Sequence, residues 1–221
     1  MALTMTSPPF AAPPFADRIV AGQLLALELS TLADRHPVVY GLPRCGVPVA
    51  FEVAQHLGAP LDVALVRTVR VNGEPERLLA TVLEGKPPII RMESDAGVPR
   101  DWLDAALEEA VDEIAKRLAL YRGRGRPFSP AGRTAIVVDQ TVTSGHAAAG
   151  AIRLLRDAGA KSVVVATPVA GAAGLARLAP LADRVVSLRR VPEVGPLAQH
   201  YGDWRQISHH EALSCLERAR E

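Results

Sequence analysis

The chain has 221 residues, 48% of them hydrophobic and 22% charged, with a formal net charge of +1. That balance suits one well-buried domain, and it argues against a nucleic-acid or membrane-surface role, because no large field of one sign is offered to a polyanion. Two cysteines, Cys45 and Cys215, without CxxC or His-rich spacing, support neither a disulfide framework nor a structural zinc site and suit a reducing cytoplasm, and no apolar run approaches the roughly 20 residues that span a bilayer.

Residues 1–15 are rich in Pro and Ala and lack both the basic leader and the continuous apolar core of a secretory signal, so a flexible N-terminal arm is expected before a domain over 16–221. From 17 to 33 the residues Ile19, Leu24, Leu25, Leu27 and Leu29 recur at helical spacing, with Asp17 placed to cap the first turn. Val38 to Leu42 reads as a short strand broken at Pro43-Arg44-Cys45-Gly46, followed by a helix over 47–57 that stops at Gly58. The next strand is expected over 61–66, and the polar stretch 67–77, with Asn72-Gly73 inside it, as a hairpin or mobile loop. Short strands at 81–83 and 89–90 precede a long amphipathic helix over 99–121, which ends at the basic connector Gly123-Arg124-Gly125-Arg126-Pro127.

The second half alternates strand and helix: strand 135–139, helix 146–158, strand 162–167, helix 171–181, strand 184–188, an irregular segment 191–206 and a last helix over 208–218. Strands separated by helices imply right-handed crossovers and a parallel sheet, here of about five strands. The β-branched run Thr134-Ala135-Ile136-Val137-Val138 needs cover on both faces, which suits a central strand. It delivers Asp139 to the carboxyl end of the sheet, where open α/β sheets take their ligands, and the following turn, Gln140 to His146, opens a helix whose amides are free to point at an anion. A sheet-end or helix-capping carboxylate is the plainer alternative for Asp139, and N-capping for Thr143 and Ser144.

With these residues the chain resembles the type I phosphoribosyltransferases, in particular a group of bacterial phosphoribosyltransferase-like proteins. The likeness rests on Leu42 to Ala50, on Leu61-Asp62-Val63 leading to Val66-Arg67, on Glu74-Pro75-Glu76, on the Asp139 loop and on Tyr201 to Gln206. It implies an α/β fold with a twisted, mainly parallel sheet flanked by helices and a small C-terminal hood made from 191–206, to which the N-terminal arm is a candidate contributor. It also implies a site for phosphoribosyl pyrophosphate (PRPP). Asp139 and Gln140 then hold the ribose, Thr141, Thr143, Ser144, Gly145 and His146 hold the 5′-phosphate, Arg44, Cys45 and Gly46 cradle the pyrophosphate, and Arg67 joins Arg44 on the leaving group, with Arg70 a further candidate in the adjoining loop. Asp139 and Arg67 are the catalytic candidates. Tyr201 and Trp204 are expected in the hood over the acceptor, where an aromatic ring stacks on a flat base, with core packing as the alternative.

The loop departs from the family pattern. Gln140 stands where the second acid is expected, Thr141 replaces the usual glycine, and Ala147 lacks the closing hydroxyl. Gln140 still hydrogen-bonds a hydroxyl, but it removes a negative charge that would stabilise cationic character at the anomeric carbon. Cys45, in place of a glycine, reads first as a packing substitution and second as a thiol beside Arg44. The functional expectation is transfer of a phosphoribosyl group from PRPP to an acceptor that the sequence does not identify, a nucleobase being one candidate, in nucleotide metabolism, with Mg²⁺ bound through pyrophosphate and no metal ligand set from the protein. The rival expectation is a non-catalytic PRPP or nucleotide sensor on the same fold. The partner implied is a small phosphoribosyl substrate, not nucleic acid or membrane, and homo-oligomerisation through the first helix is left open.

Overall fold

A computed structural model of the chain describes residues 15–71, 74–90, 97–123 and 125–221. The expected arm over 1–15 lies outside the described residues except for Phe15, as do Asn72, Gly73 and Arg124. The first helix, α1 (Arg18–Leu29), starts where the Asp17 carboxylate accepts from the Val20 amide at 2.8 Å. β1 (Val38–Gly41), α2 (Gly46–Leu57) and β2 (Leu61–Val63) form a βαβ unit. β3 (Val66–Val71), β4 (Glu74–Leu83) and β5 (Ile89–Ile90) pair antiparallel in a separate three-stranded sheet. α3 (Arg100–Arg122) leads to β6 (Thr134–Val138), β7 (Thr141–Val142) and α4 (His146–Asp157). β8 (Ser162–Gly171), α5 (Ala172–Leu178), β9 (Arg184–Val191) and α6 (His209–Arg218) complete the chain, with Ser208 and Glu211 closing a reciprocal capping box on α6.

The main sheet runs β2-β1-β6-β8-β7, with β9 on the other side of β8, and every pairing in it is parallel. β6 is buried along its whole length, because apolar side chains pack on both faces. On one face Val39, Ile136, Val138 and Val164 pack under α1, α2 and α6; on the other Val38, Val137 and Val165 pack under α4 and α5. The small sheet lies between α3 and α4, and α4 comes so close that a Cβ at Gly150 would stand 2.7 Å from Val66 Cγ1.

Two expectations change in detail, and one open alternative is decided. The strand expected over 61–66 is two: β2 ends in the main sheet, and after Ala64-Leu65 the chain turns into β3 of the second sheet. Ala64 and Leu65 are both buried, so their hydropathy carries no mark of the bend. The stretch 67–77 is a hairpin, and the main sheet has six strands, because β7 inserts two residues of ladder into the expected turn.

Candidate functional site

The parallel strands end at a small cavity of about 90 Å³ bounded by Asp139, Thr141 to Ala148 and Arg70. β6 carries Asp139 there, and the carboxylate turns back on its own loop, accepting from the Gln140 amide at 2.7 Å. Part of the side chain reaches solvent, yet burial pushes its pKa up from 3.8 to about 7, against the pull of the Gln140 and Thr141 amides. Asp139 is therefore a carboxyl group that titrates near neutrality at the end of a central strand.

Next to it the turn reverses into α4. Gly145 sits at φ 75°, a left-handed conformation suited to glycine, and it precedes the helix without any side-chain cap or acidic residue in the first turn. Among the described residues the amides of Ser144 and Gly145 donate to no other group. An uncapped helix start with free amides is an anion receptor. The loop is pinned from outside: the Arg177 Nε–H of α5 donates to the Ser144 carbonyl at 2.7 Å, and the Ser144 hydroxyl meets His146 Nδ1 at 3.0 Å. Ser144 and His146 are buried, whereas Thr143 is exposed.

The 43–46 loop lies against the same centre. A Cβ on Gly46 would stand 2.7 Å from the Val138 carbonyl and 3.0 Å from Asp139 Cα, so only glycine permits this approach. The Pro43–Arg44 peptide is cis. Cys45 is a free thiol packed against the larger core cluster, and the Arg44 charge falls on Tyr121 and His209, adding to the burial that lowers the His209 pKa.

Gln140 is held from two sides by residues distant in sequence. The Arg18 Nε–H donates to Gln140 Oε1 at 2.7 Å, and the Tyr201 hydroxyl donates to the Gln140 carbonyl at 2.6 Å. Arg18, 4% exposed, also donates to the Trp204 carbonyl and lies over the Tyr201 ring, 5.8 Å from its centroid. Tyr201 is fully buried, tilted against Phe15 at 5.7 Å, and burial raises its hydroxyl pKa, with the Asp139 charge adding. Trp204 is 55% exposed. The two expected hood aromatics thus differ: Tyr201 ties the hood to the loop, and Trp204 offers an open surface.

Arg67 and Arg70 separate along β3. Arg67 faces α3, where its Nε lies 2.7 Å from a Glu113 carboxylate oxygen, and it borders a second cavity of about 290 Å³ between β3 and α3. Arg70 reaches the α4 side and comes within 3.4 Å of Ser144 Oγ, past a register shift in the hairpin. Arg67 does not border the Asp139 cavity; Arg70 does. The small cavity is bordered by a strand-end carboxyl group, loop hydroxyls and the uncapped start of α4, so chemistry and not volume selects it.

Sequence reasoning missed Arg18 and the ion network of Asp62, Glu84 and Arg122. Asp62, 1% exposed, lies 2.9 Å from Arg122 Nε and accepts from the Phe128 amide, while Arg122 also bridges to Glu84 at 2.9 Å. These residues join β2, the end of β4 and α3.

The arrangement is an α/β protein whose parallel sheet ends in an anion-receiving loop. Residues 19–194 match the phosphoribosyl transferase domain, and the chain belongs to that family. Two Mycobacterium tuberculosis proteins, each named "Putative phosphoribosyl transferase", are 39% identical over 211 residues, which is 93% of this chain and 47% of theirs. The chain spans about half the length of the curated relatives it matches. The crystal structure of TT1426 from Thermus thermophilus is similar at 34% identity and a TM-score of 0.80, covering 93% of this chain and 98% of that one. No described helix is long and apolar enough to cross a membrane.

Proposed function

We propose that the chain transfers a phosphoribosyl group from PRPP to an acceptor of nucleobase type. The observation that carries this reading is the cavity bordered by Asp139 at the end of the central strand and by Ser144 and Gly145, whose amides donate to no other described group. In the proposed pose the 5′-phosphate lies on residues 143–146, the ribose hydroxyls meet Asp139 and Gln140, and the pyrophosphate lies towards the Gly46 loop with Arg44 as its cationic neighbour, whereas Arg67, paired with Glu113 on the α3 side, stands away from this cavity. Asp139 accepts from a hydroxyl in its ionised form, and Trp204 offers its exposed ring to a flat acceptor.

In this reading the ion is carried by the substrate. Among the described residues no group of three or more His, Cys, Asp or Glu side chains is placed to hold a metal, and Asp139 is the carboxylate bordering the loop cavity. Mg²⁺ carried on the pyrophosphate would neutralise the charge leaving with it. The chain's own residues position the sugar and shield the reacting carbon.

The rival reading, a PRPP or nucleotide sensor, is favoured by one feature: Gln140 is neutral and committed to the Arg18 guanidinium, which lowers the negative charge available to a cationic transition state. Incubation with PRPP, Mg²⁺ and a panel of purine and pyrimidine bases separates the two. Base-dependent pyrophosphate release supports the transferase, binding without release supports the sensor, and absence of both refutes the shared ligand.

A further inference from the structure

Arg18 opens α1, yet its side chain is 4% exposed and bridges two distant parts of the chain. Its Nε–H donates to Gln140 Oε1 at 2.7 Å, and its Nη2 donates to the Trp204 carbonyl at 3.3 Å. A guanidinium offers donors and no acceptor, so the Gln140 amide turns its oxygen to Arg18 and its Nε2 away. The backbone before Arg18 is tied to the hood. The Phe15 amide donates to the His200 carbonyl at 2.8 Å, the Gly202 amide to the Phe15 carbonyl at 2.7 Å and the Asp203 amide to the Ala16 carbonyl at 2.8 Å. A Cβ on Gly202 would stand 3.0 Å from the Ala16 carbonyl oxygen, so the two segments lie close together. Tyr201, whose ring lies under the guanidinium, donates to the Gln140 carbonyl. Gln140 is thus held at its backbone and at its side chain by one unit, made of the start of α1 and residues 200–204.

We infer that Arg18 is a positioning residue that couples the Asp139–Gln140 turn to the hood, so that a sugar phosphate on the turn and the ring of Trp204 sense each other through this one guanidinium. The inference rests on the loop reading given above and goes beyond it, since it gives the N-terminal helix a part in the site. A ligand that draws on Gln140 Nε2 shifts the amide that Arg18 holds, and the second prong of the guanidinium passes the shift to the backbone of Trp204. By reciprocity, a flat molecule seated on Trp204 changes sugar-phosphate affinity by the same factor. Lysine is a point charge and does not hold two partners at the fixed angle of the guanidinium fork.

The test uses the full chain with Trp102→Phe, which leaves Trp204 as its one tryptophan; Trp102 borders the cavity between β3 and α3, not the loop cavity. Ribose 5-phosphate is titrated by calorimetry and by tryptophan fluorescence, in that background and with Arg18→Met or Arg18→Lys added. The expected result is a saturable change in Trp204 emission with the same midpoint as the heat, abolished at saturating ligand by Arg18→Met and reduced by Arg18→Lys. The amplitude at saturation is the quantity read, so a general weakening of the fold or of affinity does not imitate the result. Calorimetric binding without a change in Trp204 emission, or a change that persists in Arg18→Met, overturns the coupling and leaves the loop reading standing. No calorimetric binding by the native chain overturns both. Should Arg18→Met fold or bind too poorly to saturate, Gln140→Ala removes the other end of the contact and is expected to abolish the Trp204 change in the same way; its persistence there would count against the inference.

Discussion

Burial sets the charge of Asp139 to change near neutral pH. Its pKa of about 7 lies above the usual carboxylate value because burial penalises the ionised form. The folded state thus binds a proton there that the unfolded chain has already lost, so the stability contributed by Asp139 is fully present below about pH 4 and is lost as pH rises through 7. Asp139→Asn removes this dependence: its stability relative to the native chain should rise by a few kcal/mol between pH 4 and pH 8 in urea unfolding. Ligand binding should run the other way. A hydroxyl donates to the carboxylate, so native affinity for PRPP should increase with pH through 7, and Asp139→Asn should show no measurable binding at any pH. Arg18 makes a separate case. Its replacement by Met leaves Gln140 Oε1 and the Trp204 carbonyl without their donor, and a loss of about 1–3 kcal/mol is expected on thermal or urea unfolding.

Among the secondary-structure elements, the site is held by contacts that cross between layers. Arg122 on α3 is paired with Asp62 on β2 and with Glu84 just past β4, and Glu84 has its pKa raised by burial despite that partner. Arg122→Met would leave the buried Asp62 and the half-buried Glu84 carboxyl groups without their cation, and a destabilisation of about 3–5 kcal/mol is expected on urea unfolding. Gly46→Ala tests the approach of α2 to β6: the new Cβ would meet the Val138 carbonyl, so about 1–3 kcal/mol should be lost together with PRPP affinity. Strand β6, the Asp139 turn and helix α4 were legible in the sequence because a buried β-branched run, an acid and a helical period follow one another locally. The pairing of Arg18 with Gln140 spans 122 positions and leaves no local pattern. The division of labour between Arg67 and Arg70 depends on the hairpin register and its irregularity, which residue types alone do not encode. Tyr201 was legible as a rare aromatic in a polar segment, but its burial depends on Phe15 and Gln140, both far away in sequence.

For the whole molecule, two sheets and the hood converge on one loop. The main sheet supplies Asp139 and leads into the Ser144–Gly145 turn, the small sheet brings Arg70 to the cavity edge, and Tyr201 of the 191–206 segment holds Gln140. The central claim is that this loop receives the phosphorylated end of a ribose. Calorimetric titration of the native chain with PRPP and Mg²⁺ tests it most directly: the account predicts weak but measurable saturable binding that Asp139→Asn abolishes, and a flat trace at millimolar ligand would contradict it.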